Sequence, residues 1–312
     1  MKKFIIKTFV FAVAVYILLA AMDYLYSKRC QVSSNIKYQF WSEMLAGGID
    51  ADALVVSNSR MRLVKTDILD STLQTRSYSI GRDGFAFNRQ IHVYNLYLKH
   101  NSKPKIIIQN VDMYTLQYEV GFDKRQFFPF LWDPEVRSEL REEPFTMEER
   151  FLPFYRYEMN LFRSGLRKGK KHNTRPPKGP LWEDWDPLEY PRTQRHRFNI
   201  TERSLITFID YITKAQEDGI KVILVHAPIV DYMLENALNT DGMMRFYEGF
   251  AQEHGIPFLD FSKMDICHDT TYFANALHLN DRGLKVFTDT LAESIREVLS
   301  PQEDGEWSCL TH

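Results

Sequence analysis

Short apolar runs recur along the chain, and longer amphipathic segments separate them. Short runs without polar alternation are typical of strands that are buried on both faces of a sheet. We predict strands at 53–56, 78–80, 105–108, 221–225 and 257–261. Apolar residues at helical spacing predict helices at 85–99, 201–217 and 281–299. Strands that alternate with helices predict an α/β fold, in which helices cover both faces of a parallel sheet.

The N-terminus carries the longest apolar run, from Phe4 to Met22, which only Lys7 and Thr8 interrupt. At about 1.5 Å per residue, a helix of this run nearly spans a hydrocarbon core of roughly 30 Å. Lysines precede the centre of the run, which favours a cytoplasmic N-terminus. We therefore predict a single-pass anchor in the inner membrane, in contact with lipid, with the main domain outside the cytoplasm. A cleaved signal peptide that ends near residues 19–21 is the alternative.

These features divide the chain into an N-terminal segment, a main domain and a tail. We predict an anchor or signal at 1–27, a stalk at 28–50, the α/β domain at 51–300 and a tail at 301–312.

The segment from about 114 to 197 interrupts the alternation of strands and helices. A connection of this length inside a compact domain is usually functional, and this one begins at the carboxyl end of a predicted strand. We predict that the insertion forms a lid over that edge of the sheet. Its Trp182 and Trp185 are candidates for substrate binding by stacking on sugar rings, or they anchor the lid to the core.

Charge and cysteine content exclude several classes of protein. The formal net charge is −2, so the composition gives no sign of a nucleic-acid-binding surface. Cys30, Cys267 and Cys309 are too few and too scattered for a disulfide framework or a zinc site. We expect no metal and no organic cofactor.

A serine-containing turn and a histidine stand at opposite ends of the predicted domain. Ser57-Asn58-Ser59-Arg60 follows the first strand, so Ser59 is expected at the carboxyl edge of the sheet. A helix that starts there would point N–H groups at the serine. His278 precedes the last helix, on a loop expected to reach the same edge. A helix cap and a structural histidine are the alternatives. Together, the two residues have the chemistry of a nucleophile and its general base.

The turn at Asn58-Ser59 and the block His278-Leu279-Asn280 before the last helix resemble motifs of the SGNH/GDSL hydrolases. The similarity is greatest to membrane-anchored SGNH-like proteins of Bacteroidetes-type bacteria. It covers roughly residues 50–112 and 200–299. The resemblance implies a flavodoxin-like three-layer fold around a parallel sheet.

The resemblance also implies roles for individual residues. Ser59 would be the nucleophile and His278 the base. Gly81 (or Gly84) and Asn110 would complete an oxyanion hole with the backbone N–H of Ser59, although the glycine that usually precedes the asparagine is absent.

One position departs from the family pattern. The last block is usually Asp-x-x-His, but this chain has Asn275 three residues before His278. An amide oxygen can orient the imidazole, but it brings no negative charge to the imidazolium. Three alternatives follow: Asp269 supplies a carboxylate instead, the pair works as a slow Ser–His dyad, or the site is degenerate and binds without turnover.

The resemblance and the exported location together imply a function. We expect a serine esterase or O-acyltransferase that acts on acyl groups, most readily acetyl groups, of envelope or extracellular glycans. The alternative is a non-catalytic glycan-binding or scaffold protein of an envelope polysaccharide system. Protein partners are not identified by the sequence.

Overall fold

A parallel sheet forms the centre of the α/β fold. The computed structural model describes residues 1–117, 123–157, 195–300 and the backbone of 310–311. The strands are β1 (Ala53–Val56), β2 (Ser77–Ser79), β3 (Ile106–Asn110), β4 (Lys221–His226), β5 (Phe258–Asp260), β6 (Phe273–Asn275), β7 (His278–Leu279) and β8 (Leu310–Thr311). Five parallel strands lie in the order β2-β1-β3-β4-β5, and β8 follows β5 at the edge. This order is that of the flavodoxin-like folds, as the sequence predicted.

The helices described are α1 (Lys2–Gln31), α2 (Ile36–Ala46), α3 (Thr66–Leu73), α4 (Phe87–His100), α5 (Pro134–Glu139), α6 (Met147–Phe151), α7 (Glu202–Glu217), α8 (Asp231–Glu235), α9 (Thr240–Glu253) and α10 (Asp281–Leu299). Local sequence explains several of their ends. The Thr146 hydroxyl accepts from the Glu149 N–H, and the Glu149 carboxylate accepts from the Thr146 N–H, which is a capping box. At the start of α7, the Thr201 side chain accepts from the Ser204 N–H and so caps the helix.

The chain divides into two compact units, of which the larger spans 49–94, 102–121 and 178–312 and contains the sheet. Its central strands β1 and β3 are fully buried, which explains their continuous apolar sequences. Helix α3 packs against α10. Phe208 of α7 contacts the rings of Phe87 in α4 and Phe250 in α9. Crossovers between parallel strands are right-handed, so the strand order puts α4, α7 and α9 on the face opposite α3 and gives three layers.

The smaller unit spans 1–48, 95–101 and 122–177 and contains α1, α2, α5 and α6. Its interior is aromatic: the rings of Trp41 and Phe127 lie 4.5 Å apart. Asp23 of α1 is fully buried. It forms an ion pair with Arg156 and accepts a hydrogen bond of 2.9 Å from the Trp132 indole N–H. The segment 28–50, which we predicted as a stalk, therefore contains the end of α1 and the packed helix α2.

Helix α1 changes character along its length. Its residues up to Met22 are largely exposed and apolar, whereas Asp23, Tyr26, Ser27 and Cys30 are buried. Within the described part of the chain, α1 is the helix that is long and apolar enough to cross a membrane. It fits the predicted anchor or signal by length and composition.

The predicted insertion falls partly in the smaller unit. Residues 123–157 form a 3-10 helix (Lys124–Phe130), α5, α6 and the turns that join them. Trp182 and Trp185 lie outside the described residues. Their role as sugar-stacking groups, and that of the insertion as a lid, stay predictions.

Candidate active site

The turn that carries Ser59 is held by its own neighbours. It follows β1 directly, at the carboxyl edge of the sheet. The Asn58 side chain accepts from the Arg60 N–H at 2.9 Å and donates to the Asp112 carboxylate at 2.8 Å. No helix begins at this point: a turn leads on from Ser59, and α3 starts at Thr66. The expected contribution of a helix N-terminus to the site was therefore wrong.

The structure brings Ser59, His278 and Asn275 together in one hydrogen-bonded chain. His278 Nε2 lies 2.8 Å from Ser59 Oγ, and His278 Nδ1 lies 2.8 Å from Asn275 Oδ1. The first distance falls within the range that a nucleophile and its base require. The sequence placed these three residues in the site because each belongs to a short local motif.

The orientation of the Asn275 amide fixes the tautomer of the histidine. Asn275 Oδ1 also accepts from the backbone N–H groups of Leu277 and His278, each at 3.0 Å. Two backbone donors require an oxygen at this position, so the amide cannot be turned round without losing both bonds. His278 Nδ1 must then carry the hydrogen, and Nε2 is left to accept the hydroxyl hydrogen of Ser59.

The histidine loop is attached firmly to the last helix. Strands β6 and β7 form a short antiparallel hairpin in which Asn275 pairs with His278. Asn280 caps α10 by accepting from the Gly283 N–H at 3.0 Å. A Cβ at Gly283 would lie 2.1 Å from the Tyr272 carbonyl oxygen, so only glycine allows this close approach.

Burial keeps His278 neutral. It lowers the pKa of the imidazole from its ordinary value to about 4, and the positive charges of Arg60 and Arg62 act in the same direction. The negative charges of Asp83 and Asp112 oppose this effect but do not reverse it. At neutral pH the ring is therefore unprotonated, as a general base must be.

A buried polar cluster supports the serine turn. Asp112 is fully buried and accepts from Asn58, from Asn110 at 3.0 Å and from the Tyr114 N–H at 2.8 Å. The Arg60 guanidinium lies 3.4 Å from the same carboxylate and donates to the Ala227 carbonyl at 2.6 Å. Burial alone would raise the pKa of Asp112, but Arg60 and these hydrogen bonds hold it below its ordinary value.

Asp112→Ala should lower the free energy of unfolding by about 3–5 kcal/mol, because it leaves the buried Arg60 charge without its partner. Urea unfolding of the detergent-solubilised protein measures this loss. Asp289→Ala on α10 is the control, because it removes an exposed partner of Lys285 and should cost at most about 1 kcal/mol. Equal losses in the two variants would show that the Asp112 cluster does not stabilise the fold.

A cavity of about 210 Å³ opens beside the serine and the histidine. Both apolar and polar residues line it in the described part of the chain: Asn58, Ser59, Arg60, Gly84, Phe85, Ala86, Phe87, Gln90, Tyr114, Thr115, Leu277 and His278. Small-molecule sites of about 300–1,000 Å³ hold drug-sized ligands, so this cavity suits a smaller group.

Comparison with known proteins yields distant structural similarity alone. No protein-family model and no curated protein matches the sequence. The structure is similar to a protein assigned as an acylhydrolase from Bacteroides fragilis, with 13% sequence identity, a TM-score of 0.41, and coverage of 85% of this chain and 96% of that chain. It is also similar to a GDSL-like lipase from Bacteroides thetaiotaomicron, with 12% identity, a TM-score of 0.41, and coverage of 85% and 99%. We base the function proposed below on the geometry of Ser59, His278 and Asn275.

The two residues predicted to complete the oxyanion hole have other contacts. Asn110 is fully buried, and its amide N–H donates to the Asp112 carboxylate. It does not line the cavity. Gly81 is packed against Ser57, whose Oγ would lie 2.2 Å from a Cβ at that position. Gly84, which the sequence offered as the substitute for Gly81, does line the cavity.

Asp269 is not placed as the orienting carboxylate. Its side chain accepts from the Thr271 N–H at 2.9 Å and caps a 3-10 helix (Thr270–Tyr272). The described hydrogen bonds of the His278 ring go to Asn275 and Ser59 instead. In the described part of the chain, no group of three or more His, Cys, Asp or Glu side chains is arranged to hold a metal ion.

Sequence reasoning missed a second buried polar pair. His226 Nδ1 lies 2.9 Å from Asp260 Oδ1, where β4 and β5 end side by side. Burial alone would raise the pKa of Asp260. The hydrogen bond and charge of His226 outweigh this effect and lower that pKa to about 2. The signal was available: an aspartate inside an otherwise apolar strand needs a partner.

Proposed function

We propose that this protein is a serine-dependent acyl-transferring enzyme, an esterase or O-acyltransferase, which is exported and tethered to the membrane by α1. The observation that carries the proposal is the hydrogen-bonded chain from Asn275 through His278 to Ser59, which ends at a cavity. A serine hydroxyl is a poor nucleophile until a base takes its proton. The lowered pKa of His278 keeps that base unprotonated at neutral pH.

The reaction follows from this arrangement. Ser59 Oγ attacks the carbonyl carbon of an ester, and its proton passes to His278 Nε2. Collapse of the tetrahedral intermediate breaks the bond to the alcohol oxygen, which takes the proton from Nε2 and leaves. The acyl group then stays on Ser59 until water (in an esterase) or an acceptor hydroxyl (in a transferase) attacks it, with His278 again taking and returning one proton.

The backbone N–H groups of Ser59 and Gly84 are the donors that we propose for the oxyanion. Both residues line the cavity. Preorganised N–H donors are worth several kcal/mol to an acyl-transfer transition state, since they meet charge that develops only there.

The size of the cavity supports a short acyl group. A volume of about 210 Å³ accepts an acetyl group and part of its alcohol. We propose O-acetyl groups of envelope or extracellular glycans as the substrate class, since an exported, tethered enzyme meets such esters. The lid residues Trp182 and Trp185 would supply contacts to the sugar.

Labelling with a fluorophosphonate tests the proposal, because an activated serine hydroxyl attacks the phosphorus of such a probe, forms an O–P bond and displaces fluoride. The full-length protein in detergent should be labelled, and Ser59→Ala should abolish the label. Ser57→Ala is the matched control, since Ser57 is buried two residues away and does not line the cavity. Absence of labelling in the parent protein, or labelling that persists in Ser59→Ala, would refute the proposal.

A non-catalytic glycan-binding protein is the second candidate. The observation that favours it is the neutral partner of His278, because Asn275 cannot stabilise an imidazolium as a carboxylate does. Glycan binding by a parent protein that no fluorophosphonate labels would support this candidate.

A further inference from the structure

Four exposed apolar side chains lie together in sequence near α6. Met147, Phe151, Leu152 and Tyr155 each expose between 47% and 69% of their surface. We call this set the α6 patch. The aromatic interior of the smaller unit is buried, whereas these four side chains, like the apolar run of α1, are exposed. An exposed apolar patch marks a site of interaction with a protein or a membrane.

A hydrogen bond attaches the α6 patch to the apolar helix α1. The Tyr16 hydroxyl donates to the Phe151 carbonyl oxygen at 2.8 Å. Tyr16 lies six residues before Met22, where the exposed apolar run ends. At 1.5 Å per residue, Tyr16, which contacts Phe151, therefore lies about 9 Å inside the apolar stretch.

Aromatic residues mark the level at which α1 leaves its apolar stretch. The rings of Tyr24 and Trp132 meet edge to face, with 5.9 Å between their centroids. The Lys28 ammonium lies 5.7 Å from the Tyr24 centroid. Tyrosine, tryptophan and lysine are the residues that settle at a membrane–water interface.

The backbone of the patch is suited to a water-poor setting. In lipid, each polar backbone group needs a partner within the protein. The Phe151 carbonyl accepts from Tyr16, the Leu152 N–H donates to Glu148, and the Phe154 N–H donates to the Asp23 carboxylate at 3.2 Å. This irregular segment thus uses side chains of α1 as hydrogen-bond partners.

We infer that the α6 patch is inserted into the boundary between headgroups and acyl chains of the membrane that α1 spans. A depth of about 9 Å agrees with the roughly 5–10 Å to which interfacial elements are buried. The helix and the patch then form two points of attachment, which fix the orientation of the smaller unit on the bilayer. The inference goes beyond the catalytic proposal and rests only on α1 as a membrane anchor.

Photocrosslinking tests the inference. The photoreactive residue p-benzoylphenylalanine is placed at Leu152 in the full-length protein, in vesicles of phosphatidylethanolamine and phosphatidylglycerol, and lipid adducts are measured by mass spectrometry. We expect about tenfold more lipid adduct at Leu152 than at Ile36, an equally exposed apolar residue of the same unit beyond the end of α1. Leu18 in α1 is the positive control.

Each outcome separates the possibilities. Adducts at Leu18 with none at Leu152 would overturn the inference and leave the anchor intact. No adducts at either position would overturn both the anchor and the inference, while fluorophosphonate labelling would still report on catalysis. Protein–protein crosslinks at Leu152 in place of lipid adducts would show that a second copy covers the patch, which also overturns the inference.

Discussion

Replacement of His278 with alanine should lower kcat/KM for a soluble acetyl ester by about 10²–10⁴-fold, because it removes the base that takes the Ser59 proton. The hydrogen bond of 2.8 Å between His278 Nε2 and Ser59 Oγ is the reason for this expectation. Hydrolysis of p-nitrophenyl acetate by the detergent-solubilised protein is the measurement.

The effects of the two residues should not add. Ser59→Ala and the double variant Ser59→Ala/His278→Ala should be about equally inactive, because a nucleophile and its base act as a unit. His268→Ala is the matched control: this histidine is exposed, pairs with Asp231 at 3.1 Å and ends a 3-10 helix (Asp265–His268) that precedes β6. If His278→Ala kept parental activity while Ser59→Ala lost it, another group would be the base.

Periodicity was sufficient to predict the α/β fold, because the central strands β1, β3 and β4 each contain a local apolar run. The predicted strands at 105–108 and 221–225 overlap β3 (Ile106–Asn110) and β4 (Lys221–His226), with ends that differ by at most two residues. The smaller unit could not be predicted in this way. It is held by contacts between distant segments, such as the ring pair of Trp41 and Phe127, and no local period reports such a contact.

The same distinction applies to the site. Ser59 and His278 each stand in a recognisable local block, and the topology of the sheet brings the blocks together. Asn110 also stood in a plausible block, but its side chain is committed to Asp112. Asn110 ends β3 and Asp112 follows two residues later, so this pairing is local and could be predicted from the sequence. The buried pairing of Asp112 with Arg60 could not, since it depends on the fold around both.

Asn275→Asp should produce the second large effect, and the tautomer of His278 determines its size. In a serine protease triad, exchange of the aspartate for asparagine costs about 10⁴ in kcat, partly because the histidine adopts the wrong tautomer. Here the backbone N–H groups of Leu277 and His278 already hold the Asn275 oxygen toward Nδ1. The carboxylate of Asn275→Asp would accept the same three hydrogen bonds, so the gain is electrostatic alone.

That electrostatic gain should appear in both the rate and its dependence on pH. A carboxylate at this distance raises the pKa of a histidine by about 1–3 units, and each unit corresponds to a factor of ten. We expect kcat to rise about 10- to 100-fold.

The acid limb of kcat/KM should move in the same variant. In the parent protein, His278 has a pKa of about 4, so activity should persist as pH falls below 6.5 and be lost only near pH 4. In Asn275→Asp the pKa is higher, so His278 is protonated at a higher pH and the limb should move to about pH 5–7.

Asn236→Asp, at the end of α8, is the control for an added charge outside this hydrogen-bonded chain. An acid limb that stays near pH 4 with an unchanged kcat would show that Asn275 does not act on the base through His278 Nδ1. A limb that moves without any rise in kcat would show that proton transfer to His278 does not limit the rate.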